Sequence, residues 1–558
     1  MRFSSPPFKF STAHCATVLA LAASAVWPAW GAIPCAQCHP KETAGFASTA
    51  MGRSLGLPAK VPDGKFLHAA SKTQFLAEYT GTKMVQQLIH DGIAGRYDVA
   101  YQVGSGTHAF AYLIDLDNHL FQSPLGYFAG RGWGMSPGYE SSKAPDFYRP
   151  VTPDCLFCHS GRAQAVPGTL NTYQNPPFEA EAITCERCHG PAEAHLRAPL
   201  PGSIVNPAKL APRARDSVCE QCHLNGEERV PNPGKQLSDF HAGEDLEGVF
   251  SVYVYSSSRD PEHPDPLRVV GQVQRLALSK CARASGGKLW CGTCHDPHSQ
   301  PADAKSYFRA KCLGCHGAGL VKTHPKPNQD CTGCHMPRRP VTDGAHTIFT
   351  DHRIAIYSAR ELAVRTPSLP KAGAPGEGSV ALVAWHEPAG ELAKRNLGIA
   401  EVMVGDRLES FPLVSAGFDV LRDCADSFPN DPAVLTSIGK ALLAGGRASD
   451  AIPAFELAAQ AEPHVAARYL NLALAYKAVP DPRKAVEELE KTLQLDPLLE
   501  QPYLELVRIY SSEHDEAKVR ETGQRYLKAF PQNIRAQMAV RNRGAGEPAA
   551  KNSGPADR

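Results

Sequence analysis

Seven copies of one short pattern, Cys-x-x-Cys-His, constrain this chain more than any other feature of its sequence. The copies use fourteen of the 17 cysteines, a regularity that chance placement of these residues does not produce. The seven motifs are Cys35, Cys38, His39; Cys155, Cys158, His159; Cys185, Cys188, His189; Cys219, Cys222, His223; Cys291, Cys294, His295; Cys312, Cys315, His316; and Cys331, Cys334, His335.

Each motif fits one helical turn. Positions i, i+3 and i+4 share a helix face, so two thiols and one imidazole point in the same direction. Covalent haem attachment needs this arrangement, with two thioether bonds to the vinyl groups and a histidine ligand to the iron. Zinc is the alternative, but it takes four ligands and does not require a histidine after every cysteine pair. The motifs therefore predict seven c-type haems, attached through the fourteen cysteines and ligated by the seven motif histidines.

The N-terminus has the features of a secretory signal peptide. Arg2 and Lys9 precede an apolar run at 17–26, and we expect cleavage after Gly31. This run is about ten residues long, whereas a membrane-spanning helix needs roughly 20, which makes an uncleaved anchor the weaker alternative. We therefore predict a signal peptide at 1–31 and a mature chain in the periplasm or at the cell surface, without a membrane span.

Length and charge narrow the class of protein. The 558 residues exceed the roughly 250–300 that one hydrophobic core supports, so two or more domains are expected. Lys and Arg (58) nearly balance Asp and Glu (57), which argues against a basic nucleic-acid binder and an acidic disordered chain. Seven haems would add about fourteen propionates, so the haem-binding part should be acidic unless Lys and Arg pair with them.

The far side of each iron can hold a second histidine, hold a methionine or stay open for chemistry. Eleven histidines between residues 60 and 355 lie outside the motifs. We expect seven of them to be distal ligands: His68, His108, His195, His298, His324, His346 and His352. His119 lies at a predicted hairpin turn, and His241 and His263 lie in loops rich in Pro and Gly, so we expect these three to be solvated. Met51 is the alternative to a histidine ligand.

Several segments together resemble a known group of proteins. They are GSGTHAFAYL, CERCHGPAEAH, CEQCHLNG, GKLWCGTCHDPH, CHMPRR and HTIFTDHRI. They are similar to exported multihaem cytochromes related to the tetrahaem electron acceptor of ammonia oxidation and to octahaem tetrathionate reductase, specifically members with a C-terminal tetratricopeptide extension. The resemblance covers about residues 33–355. It implies stacked haem pairs, mostly bis-histidine irons and electron transfer, with a minority of enzymes that reduce nitrogen or sulfur compounds.

The resemblance also separates carriers from enzymes. Enzymatic relatives commonly mark the catalytic haem with a Cys-x-x-Cys-Lys motif or a lysine ligand, whereas every motif here ends in histidine. We therefore expect an electron carrier that meets a redox partner protein, through a haem edge or through its repeats. The alternative is an oxidoreductase that reduces a small nitrogen or sulfur compound at one open haem.

For the haem-binding domain, residues 32–355, we predict a mainly α fold of short helices and loops around a core of stacked haems. About 46 residues per haem are too few for a separate apolar core around each. A small β-hairpin is expected where two apolar runs flank Asp117 and Asn118.

The C-terminal part changes character. Pro429, Pro463, Pro497 and Pro531 recur every 34 residues, the tetratricopeptide period. This predicts an α-solenoid at 395–540, after a linker at 356–394 and before a disordered tail at 541–558. The small and large positions of the repeat pattern fall on Gly439, Ala451, Phe455, Ala458, Tyr476, Ala485 and Leu489. Such an array offers a concave surface for a partner or supports oligomers. Cys424 should be a small buried residue of the array.

Overall fold

The computed structural model describes residues 35–262, 264–325, 330–344, 346–363, 381–479 and 481–541. The predicted signal peptide, the central part of the predicted linker and the tail from 542 onward lie outside the described residues, as does His263. Within these ranges, no helix has the length and apolar character needed to cross a membrane.

Two antiparallel sheets fill the sequence between the first and second motifs, which corrects the mainly α prediction. One sheet has the order β2-β3-β4-β5, and the other has the order β1-β6-β7-β8-β10 with β9 paired to β8. The strands are β1 Leu55–Gly56, β2 Gly64–His68, β3 Thr73–Thr80, β4 Lys83–His90, β5 Ile93–Asp98, β6 Tyr101–Val103, β7 Ala109–Leu116, β8 His119–Phe128, β9 Gly132–Met135 and β10 Arg149–Pro150. β5 buries every second residue, as a strand with one face in the core does.

The predicted hairpin at Asp117 and Asn118 is confirmed. It joins β7 to β8, and both turn residues have positive φ (49° and 64°), as a type I′ turn requires. The prediction that His119 is solvated is wrong, because this residue begins β8 and is 7% exposed. Its Nε2 lies 3.5 Å from a carboxylate oxygen of Asp496, a fully buried residue of the C-terminal array.

The rest of the predicted haem-binding domain consists of short helices, as expected, and of small sheets that the sequence did not predict. Its helices are α1 Cys35–Cys38, α2 Pro40–Ala47, α3 Pro153–Phe157, α4 Glu186–His189, α5 Glu193–Arg197, α6 Pro212–His223, α7 Gln272–Ala277, α8 Lys280–Ala284, α9 Cys291–Cys294, α10 Ala304–Thr323, α11 Cys331–His335 and α12 Ala359–Ala363. Its strands are β11 Arg162–Ala165, β12 Tyr173–Ala180, β13 Glu228–Pro231, β14 Phe250–Tyr255, β15 Arg338–Pro340, β16 Ile348–Thr350 and β17 Leu382–Ala384. The backbone of α10 leaves the helical conformation at Gly317, whose φ is positive.

β17 lies inside the predicted linker, and it pairs with β14 to complete the sheet β13-β14-β17. The end of the predicted linker therefore belongs to the haem-binding part.

The C-terminal part is an array of antiparallel helix pairs. The helices are α13 Glu391–Arg407, α14 Phe411–Arg422, α15 Pro432–Ala444, α16 Ala448–Ala461, α17 Ala466–Ala478, α18 Pro482–Leu495, α19 Glu500–Ser512, α20 Glu516–Ala529 and α21 Ile534–Arg541. The predicted repeat positions and Cys424 are buried. Gly439 has a packing reason, because a Cβ there would lie 2.6 Å from the ring of Phe455.

Two of the repeat prolines have the same structural role. The carbonyl of Pro463 accepts a hydrogen bond from the Tyr469 hydroxyl (3.1 Å), and the carbonyl of Pro497 accepts one from Tyr503 (3.1 Å). These two hydrogen bonds are 34 residues apart, as the sequence period is.

The array shares one apolar core with the β-sheets. Phe530, fully buried after α20, packs against Phe121 of β8 and against Tyr148. The Tyr97 hydroxyl of β5 donates to the carbonyl of Gln532 (2.8 Å), and Arg535 pairs with Asp146. The repeats are therefore fixed to the sheets and are not a separate arm.

Candidate functional site

All seven motifs line a single cavity of about 4090 Å³. Divided equally among the seven motifs, this volume is about 580 Å³ per motif, within the range of roughly 300–1,000 Å³ for one small-molecule site. The cavity runs among the short helices, and one wall is the sheet that contains β7 and β8. The place where an apolar core would lie is thus lined by thiols and imidazoles.

Four motif histidines each face a second histidine across this cavity. The ring centroids are separated by 6.5 Å for His39 and His195, 5.9 Å for His189 and His298, 6.2 Å for His295 and His352, and 6.1 Å for His335 and His324. These separations are too long for ring contact. Two imidazoles on one metal, with metal–nitrogen bonds of about 2 Å and ring centres about 1.2 Å further out, lie about 6.4 Å apart. The four pairs fit a haem iron between their rings.

Hydrogen bonds to Nδ1 orient several of these rings. His189 Nδ1 donates to the Val205 carbonyl (2.8 Å), and His335 Nδ1 donates to the Ala355 carbonyl (2.9 Å). On the opposite side, His195 Nδ1 bonds Ser203 Oγ at 2.9 Å. Each bond fixes the tautomer and leaves Nε2 as the free ring nitrogen, as is usual for histidines that bind metals.

Burial favours the neutral form of several cavity imidazoles. It lowers the pKa of His159, His223, His295 and His352. A neutral ring is the form that ligates a metal. Among the described residues, no group of three or more His, Cys, Asp or Glu side chains is placed to hold a metal ion.

Two of the predicted distal histidines lie elsewhere. His68 ends β2 outside the cavity, where Nδ1 bonds Ser71 Oγ (2.8 Å) and Nε2 bonds the Glu140 carbonyl (2.9 Å). Both ring nitrogens of His68 therefore have hydrogen-bond partners. His346 is exposed and lies edge-on to Phe128, 5.4 Å between centroids, without lining the cavity. The structure thus brings neither residue to the cavity.

His108 lines the cavity but stacks on Phe349 at 4.1 Å and is not paired with a motif histidine. Met51 also lines the cavity. Sequence reasoning missed a third group, Trp385 and His386, because both residues lie inside the predicted linker. Both side chains reach the fourth motif, where Trp385 Nε1 donates to Glu220 (3.1 Å) and His386 Nε2 bonds Glu220 (2.9 Å).

Three motif histidines remain without such a ring: His159, His223 and His316. Within the described part of the chain, no histidine ring is paired with any of them. All three line the cavity.

Contacts between thiols of different motifs show which motifs are neighbours. In four pairs of thiols, one thiol lies close enough to shift the pKa of the other: Cys35 with Cys185, Cys158 with Cys222, Cys219 with Cys291, and Cys312 with Cys331. Two further links are electrostatic, because Cys188 helps to raise the pKa of Cys219, and Cys315 helps to raise that of Cys294. The motifs thus follow the order one, three, four, five, six, seven, and motif two joins at motif four.

The cavity wall is basic. Ten Lys and Arg residues line it against six Asp and Glu residues. Near the seventh motif, Arg275 and Arg339 both bond the buried carboxylate of Asp351. A positive wall suits a group that carries propionates, because burying an unpaired carboxylate is costly.

The family of cytochrome c554 and c-prime matches residues 139–190, which contain the second and third motifs. No protein of curated function matches the chain. Together with the seven motifs, the family match supports a c-type cytochrome. It covers too little of the chain to assign the whole protein to that family.

Several solved structures resemble the C-terminal helical region. MamA from Desulfovibrio magneticus RS-1 is 21% identical over 27% of this chain and 77% of its own, with a TM-score of 0.22. A tetratricopeptide protein of Thermus thermophilus is 16% identical over 28% of this chain and 81% of its own, with a TM-score of 0.23. Scores of this size carry no argument about function. The repeat assignment rests on the 34-residue period and the helix pairs.

Proposed function

We propose that the protein is an exported electron carrier that holds seven c-type haems on its seven motifs. The proposal rests on one observation. Four motif histidines each face a second histidine across a single cavity, and all seven motifs line that cavity. An iron with two histidine ligands has no open position, which suits electron exchange and leaves no place for a substrate. We assign His195, His298, His352 and His324 as second ligands for motifs one, three, five and seven.

The bound haems would supply reversible one-electron chemistry. The chain's own residues hold them close together, keep water out and balance their charge. The thiol contacts support a branched relay, in which motif four has three neighbours and motif two has one. Such a branch lets electrons enter or leave at more than two places.

We further propose that the helical array binds a redox partner or joins copies of the protein. Its support is the stack of antiparallel helix pairs, an architecture that presents extended binding surfaces. The periplasm or the cell surface would be the site of action, since covalent haem attachment and the N-terminal signal agree on export.

Haem counting tests the proposal. Holoprotein made in a host with cytochrome c maturation machinery should contain seven haems per chain by intact mass and by pyridine haemochrome absorbance. The variant His298→Ala should convert one low-spin haem to high spin in the electron paramagnetic resonance spectrum. His241→Ala is the matched control, because its exposed ring lies outside the cavity and bonds the Asp239 carbonyl and Glu244. A folded colourless protein, or an unchanged spectrum for His298→Ala, would refute the proposal.

A second candidate function is the reduction of a small nitrogen or sulfur compound at an open haem. The three motif histidines without a ring opposite favour it. Carbon monoxide titration of the reduced holoprotein decides between the two. Uptake of one to three molecules per chain would support open positions, whereas a reduced protein that takes up none would leave only the carrier.

A further inference from the structure

Residues 272–324, which carry the fifth and sixth motifs, differ in charge from the rest of the chain. This segment contains eight Lys and Arg residues and two Asp residues. The whole chain has a net charge of +1. The segment is therefore at +6 while all other residues together are at −5.

Most of this charge lies at the surface beside the cavity. Five basic residues are exposed and border the cavity, and we call them the basic face: Lys280, Arg283, Lys288, Lys305 and Lys311. The two acidic residues of the segment already accept serine hydroxyls, Asp296 from Ser299 (2.7 Å) and Asp303 from Ser306 (2.5 Å). Little of the positive charge is neutralised within the segment itself.

The helices α8 and α10, which carry four of the five residues of the basic face, both border the cavity, and α10 itself contains motif six. Cys281, next to Lys280 on α8, contributes to the raised pKa of both Cys294 and Cys312. Lys311 of α10 acts in the opposite direction on the pKa of Cys294, so its ammonium is also close. The basic face therefore lies beside the motifs that would attach the fifth and sixth haems.

The cavity also opens to solvent here. Cys315 and His316 of motif six are exposed. Electron transfer between proteins weakens steeply with distance, so an exposed motif is the natural place for exchange. Motif six also lies between motifs five and seven in the thiol contacts.

Haem propionates would increase the difference in charge between this segment and the rest of the chain. Two haems would bring four negative charges to the segment and leave it at about +2, whereas five haems would take the remainder to about −15. A charge distribution of this kind orients an oppositely charged partner as it approaches.

We propose that the basic face is where an acidic electron-transfer protein docks, with motif six as the point of electron exchange. This inference rests on the proposed function. An extended acidic partner is favoured over a small anion, because the cations are spread over α8, the following loop and α10. Docking would then place the partner's redox centre against an exposed motif.

A binding assay with charge-reversed holoprotein tests the inference. The probe is oxidised plant-type [2Fe–2S] ferredoxin, an acidic protein, and binding is measured by isothermal titration calorimetry at about 20 mM ionic strength, where charges act over long range. The test variant is Lys280→Glu, Arg283→Glu, Lys311→Glu. The control has the same total charge but places it on β2 and on loops next to the sheet strands: Lys65→Glu, Lys60→Glu, Lys143→Glu, all at exposed positions.

We expect the test variant to raise the dissociation constant about tenfold or more, and the control to change it less than about threefold. Equal weakening in both variants would show an effect of net charge alone and would overturn the inference. Displacement of ferredoxin by millimolar nitrite or sulfite, with a shift of the Soret band, would assign the face to a small anion and also overturn it. Haem content, measured on the same samples, reports separately on the proposed function.

Discussion

The contact between the helical array and the sheets can be tested at Phe530. This ring is fully buried and packs against four aromatic rings, two from the sheet side and two from the array. The partners, with centroid distances, are Tyr148 (5.0 Å), Tyr526 (5.6 Å), Tyr503 (6.2 Å) and Phe121 (6.5 Å). Truncating a core phenylalanine lowers the free energy of unfolding by about 3–5 kcal/mol, and each aromatic pair contributes about 0.5–1.5 kcal/mol beyond the burial of apolar area. We therefore expect Phe530→Ala to lower the free energy of unfolding by about 4–5 kcal/mol.

The assay must report on both parts of the chain. Urea unfolding followed by circular dichroism gives the free energy, and hydrogen exchange with mass spectrometry locates the loss. Because the core is shared, amides of β8 should exchange faster along with those of α20. Leu457→Ala is the control, since this leucine of α16 is 45% exposed and its loss should cost less than about 0.5 kcal/mol. Unchanged exchange in β8, with faster exchange confined to the array, would refute the shared core.

Three further predictions follow from local geometry. Gly439→Val should lower the unfolding free energy by about 1–3 kcal/mol in urea titrations, because the new side chain meets the Phe455 ring; Gly439→Ala should cost less. Asp496 raises the pKa of His119 above its usual value, so the stability this pair gives is present below about pH 6.5 and is lost as pH rises through the raised pKa. His119→Gln should abolish that decline between pH 6 and pH 9 in urea midpoints, and an identical decline would contradict the pairing. His298→Ala should let the reduced holoprotein bind one more carbon monoxide per chain, measured by titration.

The sequence located the chemistry better than the architecture. A motif that fits on one helical turn specifies its own local geometry. The sequence alone therefore predicts how the two thiols and the histidine of each motif lie relative to one another. The hairpin at Asp117 and Asn118 was predictable for the same reason, since a two-residue turn acts locally. The other strands had signals too, such as Asp91 and Gly92 between β4 and β5, both with positive φ. The expectation of a helical haem domain outweighed these turn signals.

The distal histidines show where local reasoning stops. His195 and His298 were predictable because they follow a motif too closely to serve its own iron. His68 could not be judged from sequence, since its exclusion depends on Ser71 and Glu140, the second of which lies 72 residues away. Contacts between distant segments decide these cases. Such contacts have no signature in a single sequence.

β17 pairs with β14, and the helical array shares a core with the sheets. The chain between residues 363 and 381 is therefore not needed to hold the two parts of the protein together. If the chain were cut between residues 363 and 381, the C-terminal piece would still be held by the strand β17 and by Phe530. The two pieces should therefore copurify after such a cut, and they could be exported as separate polypeptides that assemble afterwards. For the same reason, removing the repeats from the gene would not yield a smaller cytochrome, because the sheets would lose half of the surface that covers them.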